Sequence, residues 1–272
     1  MKTMIITALF DIDRDTRGDG RTIQEYLSWF SDTLRVKCDM TIFTETKFEN
    51  FVKKNRSSIP KKTHIVIQSL SDLPFYKNMY KMKEIMKNPN FLLKMKDHRR
   101  VECSLPEYNL IQYSKFGWLK RCIETNIEYD YFFWMDAGCS RFFLDSNLDI
   151  DWPNTKLLNK NKFLIQRNTN WPIMWHNMNI EEYIWDNRAM MCGGLFGGGK
   201  DIIVKIGNII DDICEEYFFK NNCINNEQFA IAIAAKLFPD LFDVKKQILK
   251  DEPEGTYCIP IFRQLLNDEG KK

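Results

Sequence analysis

Short runs of apolar and β-branched residues alternate along this chain with stretches in which apolar residues return every three or four positions. The first rhythm marks strands and the second helices, because side chains alternate faces in a strand and recur every 3.6 residues in a helix. Residues 4–11 read as a first strand, apolar without alternation and so buried on both faces. Residues 21–34 read as a helix, with Ile23, Tyr26, Leu27, Phe30 and Leu34 on one side. Residues 40–44 and 64–70 give two more strands. A long helix over 105–125 opens at Pro106, a residue suited to a first turn. Tyr131 to Met135 then forms an intensely apolar strand, ended abruptly by Asp136, Ala137 and Gly138. A short strand at 162–166 and helices near 200–219 and 226–237 complete the pattern. Strands alternating with helices predict an α/β fold, a mostly parallel central sheet flanked by helices.

Composition narrows this picture. The chain has 272 residues, 44% of them hydrophobic and 14% aromatic, which suffices for one large core. No internal repeat, linker or composition break divides it, so a single domain over 1–272 is expected. Thirty-nine Lys and Arg against 37 Asp and Glu leave +2, which argues against a nucleic-acid partner held by bulk charge. The local basic run Lys94 to Arg100 reads as a solvated loop or helix end. Eight cysteines without a signal peptide suggest reduced thiols and a cytoplasmic location. The apolar run at 4–10 is too short to span a bilayer, so at most peripheral membrane contact is expected.

The acid at the end of the apolar strand is the first candidate for chemistry. Open α/β sheets bind ligands at the carboxyl edge of their central strands. Mn²⁺ or Mg²⁺, which need oxygen ligands, can bridge a carboxylate there to a diphosphate. The structural alternative is that Asp136 only caps the next turn. Gly193 to Gly199 places five glycines in seven positions, so close backbone approach or positive φ is needed. Asp201 after Lys200 rules out a P-loop, and the segment does not sit where a dinucleotide fingerprint would. A tight strand–helix connection remains the plain alternative. Glu227, after Asn225 and Asn226, is explained equally by a helix first turn or by catalysis.

In order and context these pieces resemble a known family. Tyr113-Ser114-Lys115 on the long helix, the run Trp134 to Gly138, the glycine-rich segment and the pair Glu227-Gln228 are similar to the GT-A glycosyltransferases. The closer resemblance is to the HtrL/YibB-type proteins of bacterial lipopolysaccharide gene clusters. It implies a GT-A-like fold with a nucleotide-sugar-binding half at 1–138 and an acceptor-side half at 139–272. It implies transfer of a sugar from a nucleotide-sugar donor, a UDP-sugar, to a glycan or lipid-linked acceptor. Thr7, Ala8, Phe10 and Asp11 would seat base and ribose, and Arg17 would reach phosphate. Asp136 would hold the metal, with Lys115 offsetting charge on the leaving diphosphate. Gly193 and Gly194 would floor the site, and Glu227 would act as the base. The chain departs from the pattern at Gly138, where a second acid is expected.

Rival readings stand beside this one. Asp11 and Asp13 after the first strand also suit a Mg²⁺-dependent Asp-nucleophile phosphatase of the haloacid dehalogenase type. An EF-hand fails, because Thr16 and Thr22 occupy its required glycine and glutamate positions. A catalytically inactive, glycan-binding GT-A domain is the third reading. Arg14, Arg17 and Arg21 could bind phosphate in either scheme or simply be exposed. Trp171, Trp175 and Trp185 suit sugar stacking or core packing, and His176 suits a late ligand or a structural role. Asp145, Asp149 and Asp151 lie too far along to be assigned.

Overall fold

The computed structural model describes residues 1–143, 146–167, 179–187, 191–246 and 260–266. Within them the strands are β1 Thr3–Leu9, β2 Asp39–Thr44, β3 Thr63–Ile67, β4 Tyr131–Met135, β5 Phe163–Arg167, β6 Met191–Gly199 and β7 Phe242–Lys246. The helices are α1 Arg14–Arg17, α2 Ile23–Thr33, α3 Glu49–Arg56, α4 Met79–Lys87, α5 Pro89–Lys94 and α6 Pro106–Thr125. They continue with α7 Ile180–Tyr183, α8 Lys200–Ile213, α9 Glu227–Leu237 and α10 Pro260–Gln264.

The strands form one sheet in the order β3-β2-β1-β4-β6-β5-β7. β3, β2, β1 and β4 run parallel, as do β5 and β7. β6 is antiparallel to both β4 and β5. This is the α/β arrangement expected from the sequence, a mostly parallel sheet with helices on its faces.

Each face buries its own core, and strand alternation sorts the residues between them. Phe132, Trp134, Met4 and Ile6 point to one layer, where Leu110, Phe116, Trp118 and Leu119 of α6 cover them. Tyr131, Phe133, Met135, Ile5 and Leu9 point to the other, under Phe30 of α2, Val52 of α3 and Phe262 of α10. A strand covered on both sides has no polar face, which is why β4 is apolar throughout and β1 nearly so, with Thr7 buried among its apolar residues.

The glycine-rich segment is itself strand β6, and α8 begins directly after it at Lys200. None of its glycines has a positive φ. Space is the reason for them: a Cβ on Gly197 would stand 2.3 Å from the Phe133 ring on the neighbouring strand. The helix expected near 200–219 is α8, prolonged by a π-helical turn at Cys214–Phe218. Among the described residues no disulfide forms, and no helix is long and apolar enough to cross a membrane.

Candidate functional site

Asp136 follows β4 directly, and its N–H donates to the Gly194 carbonyl at 2.8 Å, extending the ladder by one residue. Two positions after Trp134, it shares the sheet face that α6 covers. There Trp134 Nε1 donates to Asp136 Oδ1 at 2.6 Å, and Lys115 Nζ lies 2.9 Å from the same oxygen. The carboxylate still keeps 37% of its side-chain surface exposed. Its side chain does not cap the next turn, which is closed by the Asp136 carbonyl accepting from the Cys139 N–H.

The exposed part borders a cavity of about 910 Å³ at the carboxyl edge of β1 and β4. That volume lies in the range of ligand pockets, and the position is where open α/β sheets bind ligands. Ala8, Phe10 and Asp11 line it from the end of β1, and Gly193 and Gly194 from β6. Four expected site residues stand elsewhere. Thr7 is fully buried and Arg17 is ion-paired to Glu107 at 3.0 Å, and neither lines the cavity. Lys115 and Glu227 lie behind the cavity wall, 1% and 0% exposed. Asp11, proposed as a phosphatase nucleophile, is ion-paired to Lys47 at 3.0 Å, and its partner acid Asp13 does not reach the cavity.

Lys115 is the hub of the buried layer. Its ammonium has three N–H donors, and three acceptors surround it: the Gly193 carbonyl at 3.0 Å, Glu227 Oε1 at 2.7 Å and Asp136 Oδ1 at 2.9 Å. Burial lowers the Lys115 pKa, but Asp136 and then Glu227 outweigh it and hold the value above the ordinary one. With every donor engaged, Lys115 has none left for a diphosphate, contrary to its expected role. Burial lifts Glu227 to a pKa of about 7 against the pull of Lys115, with Asp136 adding to the rise. One ammonium serves two carboxylates, and burial favours the protonated form of Glu227, whose Oε2 has no partner among the described residues. Glu227 is the first residue of α9, whose cap is the Asn226 side chain accepting from the Gln228 N–H at 3.1 Å. Gly193 makes room for this carboxylate, since a Cβ there would fall 2.3 Å from Glu227 Oε1.

Five arginines face the cavity. Arg14 pairs with Asp19 through two nitrogens, and Arg21 approaches the same acid at 3.5 Å. Arg99 pairs with Asp97 and Arg100 with Glu102, so part of the basic run at 94–100 walls the site rather than facing bulk solvent alone. Arg141 differs: among the described residues it has no carboxylate partner. Its Nε donates to the Gly138 carbonyl at 2.9 Å, and its guanidinium lies 4.3 Å from the Trp29 ring centre and 4.9 Å from that of Phe142. Arg141 is not among the residues that sequence alone singles out. Its one signal is the spacing, three residues past Gly138, that lets the side chain fold back over the turn.

The expected Mn²⁺ or Mg²⁺ has a poor seat here. Such ions require several oxygen ligands. Asp136 Oδ1 already accepts from Trp134 and Lys115, the second-acid position is Gly138, and the Lys115 ammonium puts a positive charge against the carboxylate. Among the described residues no cluster of three or more His, Cys, Asp or Glu side chains is arranged to hold a metal ion. The residues present do not fit a divalent cation held by the protein. Trp185 packs on Phe91 and under Lys94 at the rim of the core, and it is not among the residues lining the cavity. Trp171, Trp175, His176 and Asp145 lie outside the described residues.

Comparison with protein families matches residues 1–251 to the family described as "Bacterial protein of unknown function (HtrL_YibB)". Among solved structures, a glycosyltransferase involved in glycosylation of the major capsid of PBCV-1 covers 90% of this chain and 82% of its own, at 11% identity and a TM-score of 0.44. Mouse xyloside xylosyltransferase 1, apo form, covers 90% of this chain and 84% of its own, at 9% identity and a TM-score of 0.44. Neither likeness, at this level, carries an argument about chemistry. Comparison with curated proteins finds no match.

Proposed function

The chain belongs to the HtrL_YibB family, whose description leaves its function open, and we propose that it is a glycosyltransferase. It takes a nucleotide-sugar, in this reading a UDP-sugar, and transfers the sugar to a hydroxyl of a glycan or lipid-linked acceptor. One observation carries the reading: a half-exposed Asp136 carboxylate, oriented by Trp134 and Lys115, at the edge of a cavity of about 910 Å³ on the central strands.

In this reading Asp136 accepts the proton of the attacking hydroxyl. A bond forms between the acceptor oxygen and the anomeric carbon, the bond from that carbon to the diphosphate oxygen breaks, and nucleoside diphosphate leaves with the electron pair. Glu227, expected as the base from the sequence, becomes a positioning residue, because a carboxylate 0% exposed behind Gly193 meets no acceptor. It holds Lys115, and Lys115 holds Asp136. Ala8 to Asp11 seat the nucleoside from the 1–138 half, while Gly193, Gly194 and Gln228 face the acceptor from the 139–272 half. A cytoplasmic site of action with peripheral membrane contact at most belongs to the same reading.

The test is release of UDP from a panel of UDP-sugars, with and without added glycan acceptors. Asp136→Asn keeps the shape and the Trp134 bond, and it is expected to lower turnover by about 10²- to 10⁴-fold, the usual contribution of a positioned base. Saturable nucleotide-sugar binding without turnover in the wild-type chain would point instead to an inactive glycan-binding domain. Turnover unaffected by Asp136→Asn would remove Asp136 from the chemistry.

A further inference from the structure

The carboxyl end of β4 carries two oddities that explain each other. One is the glycine at 138, where the resemblance leads one to expect a second acid. The other is Arg141, which faces the cavity without a carboxylate partner among the described residues while the four other arginines there are paired or near one.

The geometry ties them together. A Cβ built on Gly138 would stand 3.4 Å from both Nε and Nη2 of Arg141. A carboxylate on that Cβ would therefore reach the guanidinium and neutralise it. Glycine leaves the guanidinium charged and uncommitted. Its Nε is satisfied by the Gly138 carbonyl, and the rings of Trp29 and Phe142 hold its plane, so the two terminal nitrogens remain for a ligand. A planar fork fixed in this way suits the paired oxygens of a phosphate. Arg21 and Arg141 line the same cavity, and burial, then the nearby charge of Arg21, pull the Arg141 pKa below its ordinary value. An anion placed there would relieve that repulsion.

We propose that Arg141, with Arg21 beside it, binds the diphosphate of the donor and carries the charge that a divalent cation would otherwise carry, so that the donor binds without metal. The proposal rests on the nucleotide-sugar reading of the cavity. It also accounts for the poor cation seat at Asp136, since a site that meets phosphate with arginine has no need of a second acid.

The test is calorimetric titration of the full chain with UDP and with UMP, in EDTA and in Mn²⁺. UDP is expected to bind in EDTA, with an affinity that Mn²⁺ changes by less than about threefold. Arg141→Ala is expected to weaken UDP by about 10- to 100-fold, the scale of hydrogen bonds to a charged group, and UMP by much less. Gly138→Asp leaves Arg141 in place but supplies it with a partner, and it is expected to weaken UDP in EDTA to a similar extent. Arg141→Lys keeps the charge without the fork and should fall between. UDP binding that requires Mn²⁺, or that survives both Arg141→Ala and Gly138→Asp, overturns the proposal and leaves the donor reading intact. Absence of UDP and UDP-sugar binding under every condition removes the donor reading, and this proposal with it.

Discussion

Trp134 donates its indole N–H to Asp136 Oδ1 at 2.6 Å, so the strand's last core aromatic is also the group that aims the cavity's carboxylate. The same indole stacks on Trp118 with centroids 5.7 Å apart and planes within 5°. Trp134→Phe keeps the apolar face and loses the donor. It is expected to cost about 1 kcal/mol of stability and to lower sugar transfer through a misaligned Asp136. Thermal unfolding and kcat measured on the same preparation check this. A kcat equal to wild type would show that Lys115 alone orients Asp136 and that the Trp134 bond is dispensable for turnover.

Lys115 carries a different kind of risk, because both it and Glu227 are buried. Lys115→Met removes the cation and strands a carboxylate in the core, for which the expected cost is about 3–5 kcal/mol. The double variant Lys115→Met/Glu227→Gln removes both charges and is expected to recover much of that loss. A double-mutant cycle by chemical denaturation measures the coupling. Additive single effects would mean that the 2.7 Å pair is not an energetic unit.

Much of this site was legible in the chain because its markers are local. An apolar run broken by Asp136 announces a buried strand reaching a ligand edge, and Lys115 falls on the face of α6 that covers it. Other parts depend on contacts between distant segments. Five glycines have low strand propensity, so the segment does not read as a strand; what makes it one is antiparallel pairing with β4 and β5, where the Phe133 ring lies across Gly197. Which side of α9 Glu227 faces is set by packing on β6, and spacing alone gives no sign of its burial. Arg141 matters because Trp29, from α2, stands against it, a pairing that no window of sequence contains. Strand β7 and helices α3 to α5 are short and weakly patterned, so the sequence does not announce them.

Glu227 gives the chain a characteristic pH response. Its folded pKa of about 7 lies above the ordinary carboxyl value of 4.5. Between those values the folded state holds a proton that the unfolded state has lost, so this group's contribution to stability falls as pH rises from about 4.5 to about 7 and is flat above. The facing charges are Lys115 and Asp136, and Lys115, held above its ordinary pKa, stays charged across the window. Glu227→Gln, which mimics the protonated form, removes this slope. The stability difference between variant and wild type is expected to move in the variant's favour by roughly 3 kcal/mol over that window. Denaturation midpoints at several pH values check it. Parallel curves would mean that Glu227 stays ionised throughout.

Gly193 offers the sharpest separation between structure and chemistry, because its missing side chain serves the layer behind the cavity. Its carbonyl accepts from Lys115 at 3.0 Å, and its Cα faces the Glu227 carboxylate closely enough that a methyl group would meet Oε1 at 2.3 Å and Gln228 Cγ at 2.8 Å. Gly193→Ala must therefore push the first turn of α9 back or rotate Glu227 off Lys115. Overpacking of this kind costs about 1–3 kcal/mol. Lys115, losing one acceptor's geometry, then shifts toward or away from Asp136, so turnover is expected to fall although Asp136 itself is unchanged. Adding Glu227→Ala to Gly193→Ala frees the space but leaves Lys115 short of a partner, so it should recover packing without recovering turnover. Melting temperature and kcat of the two variants, measured beside wild type, decide the matter. Full recovery of both in the double variant would show that Glu227 fills space and does not position Asp136.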